Sequence, residues 1–189
     1  MTSTDGIPEP DVIDVLTTDH REAQDLTEQI IATVDPEQRR DLTDQLIAEL
    51  VRHSVAEEMY VYPAMRDHLP DGEQAVEHDI QEHKELETLM KQLEGADASS
   101  TEFDEALGSL RQVLLDHVQD EETEQFPQLR SHVPAATLVE LKEKVELAKK
   151  VAPTRPHPAA PNAELFHKLV GPGVGLVDRL RDRLTGRST

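Results

Sequence analysis

His53-Ser54-Val55-Ala56-Glu57-Glu58-Met59-Tyr60-Val61-Tyr62-Pro63 is answered further along the chain by His117-Val118-Gln119-Asp120-Glu121-Glu122-Thr123-Glu124-Gln125-Phe126-Pro127. Both stretches read His-x-x-x-Glu-Glu-x-x-x-(Tyr/Phe)-Pro, at an offset of 64 positions (117 − 53). The repeat extends outward. Arg66, His68 and Pro70 match Arg130, His132 and Pro134, and Asp19-His20-Arg21-Glu22 matches Glu82-His83-Lys84-Glu85 at an offset of 63 (83 − 20). One unit therefore occurs twice: a His on one segment, then His-x-x-x-Glu on the next. Two copies supply four His and two Glu, a set of the size and type that suits two adjacent iron ions.

The composition fits one domain with an appendage. The chain has 189 residues, with 37% hydrophobic and 3% aromatic content, which is workable for an Ala/Leu/Val helix bundle. It has no cysteine, so disulfides, Fe–S clusters and thiolate-bound zinc are excluded and any metal must take N and O ligands. No apolar stretch is long enough for a membrane span. The first residues lack a charged-then-apolar leader, so a cytoplasmic location is expected. A net charge of −20 argues against nucleic acid as the main partner.

Charge and proline divide the chain near residue 150. Six Arg/Lys and three Asp/Glu give residues 151–189 a net +3, which leaves −23 for residues 1–150 (−20 − 3). Val151 to Pro161 reads as an extended linker, since clustered prolines cannot continue a helix. Beyond it, Val174, Val177, Leu180 and Leu184 form one stripe of a short basic amphipathic helix. Asp178 and Asp182 weaken its case as a membrane-surface helix. Docking on protein is favoured, either on the acidic bundle or on a second protomer in a homodimer.

Residues 1–150 read as helix almost throughout. Val12, Val15, Leu16, Leu26, Ile30 and Ile31 fall at helical spacing, and Leu42, Leu46, Leu50, Val51, Val55 and Met59 continue on a second helix after Asp35-Pro36. A turn at Pro70-Asp71-Gly72 precedes a third helix, from about Glu73 to Leu93. A fourth starts near Thr101 and a fifth follows Pro134. Short connections predict an all-α, up-down-up-down four-helix bundle with a fifth helix and a Pro-rich tail. Pro63 and Pro127 are expected to kink or end the second and fourth helices.

Residues four apart share a helix face, so His53 with Glu57, and His117 with Glu121, reach one point in the core. Leu50, Ile80 and Leu114, three residues before His53, His83 and His117, mark those faces as inward. A lone His-x-x-x-Glu is usually a surface pair. Two copies, each following another His by 33 or 34 residues (53 − 20, 117 − 83), change that balance. Glu58 and Glu122 point about 100° away from the ligand face and read as supporting or solvated groups. His68 and His132 read as helix-end residues. His157 and His167 lie in the tail.

The order His20, His53-x-x-x-Glu57, His83, His117-x-x-x-Glu121, with the Tyr/Phe-Pro dipeptides, resembles the hemerythrin family in its hemerythrin-like (HHE) branch, over about residues 10–134. The resemblance implies a four-helix bundle around two non-haem Fe ions, with His from all four helices and Glu57 and Glu121 bridging. Oxygen-carrying hemerythrins have a second His four residues before the third-helix ligand. Here that position is Asp79, with His78 one residue out of phase. Asp79 and Glu124 are thus possible further ligands, and Tyr60, three after Glu57, is a possible proton-handling phenol.

This departure turns the expectation from simple O2 carriage toward decomposition of hydrogen peroxide. Binding or sensing of O2 or NO is the alternative. Iron storage of the ferritin-like kind is disfavoured, because no Glu-x-x-His stands at a candidate ligand.

Overall fold

The computed structural model describes residues 9–156, and these are all-helical apart from short connections. Helix α1 (Val12–Ala32) opens on a capping box: Asp11 accepts from the Ile13 and Asp14 N–H groups, and Asp14 accepts from the Asp11 N–H. Arg130 donates to both carboxylates, tying the start of α1 to a segment more than 100 residues further along the chain. Helix α2 (Pro36–Ala56) starts on the Asp35 cap, with proline in its first turn as the sequence predicts. Helices α4 (Gly72–Gly95) and α5 (Thr101–Asp120) follow, the latter capped by Ser100.

The prolines do not end their helices. Instead, a π-helical turn, Glu57–Val61, joins α2 to α3 (Tyr62–His68), and a second, Glu121–Gln125, joins α5 to α6 (Phe126–His132). The Tyr62 and Phe126 N–H groups bond five residues back, to Glu57 and Glu121 O. Proline has no N–H, and its ring crowds the carbonyl four residues back. One extra residue in the preceding turn absorbs both defects and keeps the rod going. Each turn begins on a candidate bridging glutamate.

Helices α1, α2–α3, α4 and α5–α6 form the bundle. α1 packs on α2 and α5, and α4 packs on α5 and α2. A fifth helix, α7 (Ala135–Val151), covers the α1/α2 side. One apolar cluster is built around Ile30, Leu46, Leu50, Met90, Phe103 and Leu114, and another around Leu16, Val61, Met65, Phe126 and Leu129. His20, His53, His83 and His117 fall between the two sets along their helices, so the polar layer is sealed at both ends. The turn into α4 needs its glycine: a Cβ on Gly72 would lie 2.0 Å from Met65 O.

One expectation changes with the structure. The first residues of the proline linker, 152–156, are non-helical as expected, yet they pack on the bundle: Ala152 and Thr154 are fully buried and Arg155 pairs with Glu94 at 3.0 Å. The expected tail helix and His157 and His167 lie outside the described residues.

Candidate metal centre

His20 (α1), His53 (α2), His83 (α4) and His117 (α5) are all at most 5% exposed, and Glu57 and Glu121 at most 1%. The structure brings together all six residues that the repeat singles out. Glu57 Oε2 lies 3.1 Å from His53 Nε2 and 3.4 Å from His83 Nε2. Glu121 Oε2 lies 3.1 Å from His20 Nε2 and 3.6 Å from His117 Nε2. Ring centroids pair His20 with His53 at 4.9 Å and His83 with His117 at 5.0 Å. Each glutamate therefore touches one histidine of each pair.

These contacts do not meet hydrogen-bond geometry. Nε2 of His20, His53 and His117, and both oxygens of Glu57 and Glu121, have no hydrogen-bond partner among the described residues. Buried polar atoms left this way are costly. Two donors each about 2.1 Å from one ion at a right angle stand about 3 Å apart. The N···O distances here suit atoms aimed at a shared cation rather than at one another. His20, His53, His117 and Glu121 form one such group and Glu57, His83 and His117 another.

The outward ring nitrogens are held by four further carboxylates. Asp19 meets His53 Nδ1 at 3.3 Å, Glu82 meets His117 at 2.9 Å, Glu58 meets His83 at 3.1 Å and Glu122 meets His20 at 3.0 Å. A carboxylate on one imidazole nitrogen fixes the ring and turns the other nitrogen to the metal. The arrangement follows the repeat. Asp19 and Glu82 each serve their own half, while Glu58 and Glu122 each reach into the other. Two of these, Asp19 and Glu82, were open to sequence reading only as the acids preceding His20 and His83.

The electrostatics are set by carboxylates and imidazoles buried side by side. Burial alone would lower the His53 pKa, but the Glu57 charge and the Asp19 bond outweigh it and push it up to about 10. Burial acts downward on His83 and His117 too, and their carboxylate neighbours hold both above the ordinary value. Burial would raise Glu57, but His53 and His83 hold it well below its usual range.

The π turns redistribute the remaining candidates. The extra residue rotates everything after Glu57 and Glu121, so the residue five on returns to the ligand face. That residue is Tyr62, fully buried, with Oη 3.1 Å from His83 Nε2. Tyr60 is half-buried and packs against the second apolar cluster. Of the two phenols, it is Tyr62 that touches a candidate ligand histidine. In the other half, Phe126 stacks on His20 at 5.7 Å and Glu124 is exposed, which takes Glu124 away from the centre.

Asp79 is wholly buried in the layer. Its Oδ1 accepts from Gln125 at 2.9 Å, and its Oδ2 has no hydrogen-bond partner among the described residues. Burial, helped by the Glu121 charge, pushes its pKa up to about 7. Burial and the Glu57 charge likewise hold the Tyr62 phenol well above its ordinary value. On the other side of the layer a narrow pocket touches all four histidines, with Leu50, Leu86 and Leu114 as apolar walls. It has room for about one water-sized molecule.

Residues 11–129 match the hemerythrin HHE cation binding domain family. An uncharacterised hemerythrin-like protein of Schizosaccharomyces pombe is 30% identical over 174 residues, covering 92% of this chain and 86% of its own. A DNA nickase of Nostoc is 26% identical over 120 residues, which span 64% of this chain but 34% of that protein. The crystal structure of a hemerythrin HHE cation-binding domain-containing protein from Mycobacterium kansasii superposes with a TM-score of 0.66 at 23% identity, over 90% of this chain and 99% of that one.

Proposed function

Because the chain belongs to the hemerythrin HHE cation-binding family, we propose that its buried layer holds two non-haem irons and decomposes hydrogen peroxide. His20, His53, His83 and His117 would hold the metals, Glu57 and Glu121 would bridge them, and Asp79 is the nearest further carboxylate. The bound pair would supply electron exchange with peroxide or O2.

The observation that carries the peroxide reading is the protic face of the layer. Tyr62 Oη, 3.1 Å from His83 Nε2, keeps its proton at neutral pH, and Asp79 titrates close to pH 7. Splitting an O–O bond needs protons delivered in the dry, and a buried phenol and acid are suited to that. A pocket this small suits a ligand of two to four atoms, such as O2, H2O2 or NO.

Reversible O2 or NO binding is the second reading. It is favoured by the apolar walls that Leu50, Leu86 and Leu114 give that pocket. Mixing reduced, iron-loaded protein with oxygen in stopped flow separates the two, alongside an assay of peroxide loss. The peroxide reading expects rapid oxidation and turnover above that of free iron. A long-lived adduct that reverses under argon, without peroxide turnover, would return the protein to the oxygen-binding class.

A further inference from the structure

Three sets of potential ligands overlap on one flank of the bundle, where α4 meets α5. His78, Glu82 and Asp120 lie outermost, Asp79, Glu82 and His117 beneath them, and Glu57, His83 and His117 in the centre. Glu82 belongs to the first two sets and His117 to the last two. His78 Nε2 stands 3.4 Å from Glu82 Oε1 and 3.4 Å from Asp120 Oδ2, with side chains 56%, 14% and 43% exposed respectively. Below them Asp79 is 0% exposed, and its Oδ2 has no hydrogen-bond partner among the described residues. A bare buried carboxylate oxygen costs free energy that a cation beside it would recover.

The internal repeat provides the contrast. At the positions equivalent to His78, Asp79 and Asp120, the other half has Val15, Leu16 and Ala56. Asp19, the counterpart of Glu82, has its outer oxygen bonded by the Lys149 ammonium of α7. A cation approaching that flank meets a fixed positive charge and then apolar side chains. On the α4/α5 flank it meets a graded run of N and O donors leading inward.

We propose that His78, Glu82 and Asp120 form a port at which a divalent first-row cation docks before passing, by way of Asp79, to the buried centre. The port rests on the reading of that centre as a cation site. Its donors suit such ions, and each inward step exchanges water for a protein ligand. Glu82 spans the two outer sets at once, with Oε1 3.4 Å from His78 Nε2 and Oε2 2.9 Å from His117 Nδ1.

The test uses the full chain, stripped of metal and confirmed helical by circular dichroism. Ferrous iron is added without oxygen, and uptake is timed by quenching with a coloured ferrous chelator. His78→Ala combined with Asp120→Asn, and separately Asp79→Asn, are expected to load about tenfold more slowly to the same final content, since an acidic cleft concentrates cations by at least that factor. Glu77→Gln, which removes an exposed charge from the same helix outside the port, is expected to load at the unaltered rate. Release from loaded protein to the chelator slows in parallel, because it retraces the same steps.

Loading at the unaltered rate in the port variants, or equal slowing by Glu77→Gln, would overturn the port. So would a lower final content in the double variant, which would make those residues ligands rather than a route. Failure of the unaltered protein to take up any iron would remove the cation reading of the centre itself, and the port with it.

Discussion

Tyr62 and Tyr60 lie two positions apart on one turn, and it is Tyr62 that reaches a candidate ligand histidine. Tyr62→Phe is expected to retain metal and fold while slowing peroxide consumption by about a hundredfold, the lower end of what a positioned proton donor contributes. Tyr60→Phe is expected to leave it unchanged. Peroxide loss per loaded iron, followed optically, is the measurement, and equal rates in the two variants would remove Tyr62 from proton handling.

The paired glutamates divide in a similar way. Glu57→Ala and Glu121→Ala each delete a bridge and are expected to lose most bound metal. Glu58→Ala and Glu122→Ala free the Nδ1 of His83 and His20 and are expected to weaken binding by about 10- to 100-fold. Metal titration against a chelator ranks the four variants, and equal losses would show that the bridges are wrongly assigned.

That the six candidate ligands converge is legible in the sequence because each His-x-x-x-Glu lies within, or at the immediate end of, a regular α-helix, where spacing of four means one face. The phenol is not legible, because the π turn starts at the glutamate and shifts the phase of everything after it. Counting by 3.6 from Glu57 points to Tyr60 and from Glu121 to Glu124, and both land off the face.

Among the elements, the two π turns and the α3–α4 turn fix where the layer sits. Pro63 and Pro127 mark the π turns in the sequence, but proline alone does not distinguish a kink, a stop or an inserted residue. The α3–α4 turn makes a sharper prediction. Gly72→Ala would drive a methyl into Met65 O, and relief requires backbone movement beneath Tyr62. It is expected to destabilise the protein by about 2 kcal/mol or more. Gly108→Ala, on the exposed side of α5 with nothing within 4 Å of the new Cβ, is expected to stabilise by up to about 1 kcal/mol. Thermal unfolding of the two variants in parallel should move the melting temperature in opposite directions. A shift of the same sign in both would mean that the turn has room the structure does not show.

For the molecule as a whole, bound metal would compete with protons for one layer. In the metal-free fold, His53, His83 and His117 hold protons more tightly than the value of 6.5 they have unfolded. The stability this gives is fully present below pH 6.5 and is lost as pH rises through the folded values, about 10 for His53. Asp79, raised from 3.8 to about 7, loses its contribution as pH climbs through that range. Glu57 acts oppositely: its contribution is present above 4.5 and lost as pH falls through its depressed folded value.

A bound cation replaces those protons. The melting-temperature gap between loaded and stripped protein is therefore expected to widen steadily from pH 6 to pH 9. A gap that stays constant or narrows would mean the histidines are not the groups that metal displaces.

All of this depends on the duplicated His and His-x-x-x-Glu unit being a two-metal site. Metal analysis of the full chain made in iron-replete cells tests that directly. Two irons per chain are expected, falling sharply in both His53→Ala and His117→Ala. Substoichiometric iron that is indifferent to those two substitutions would contradict it.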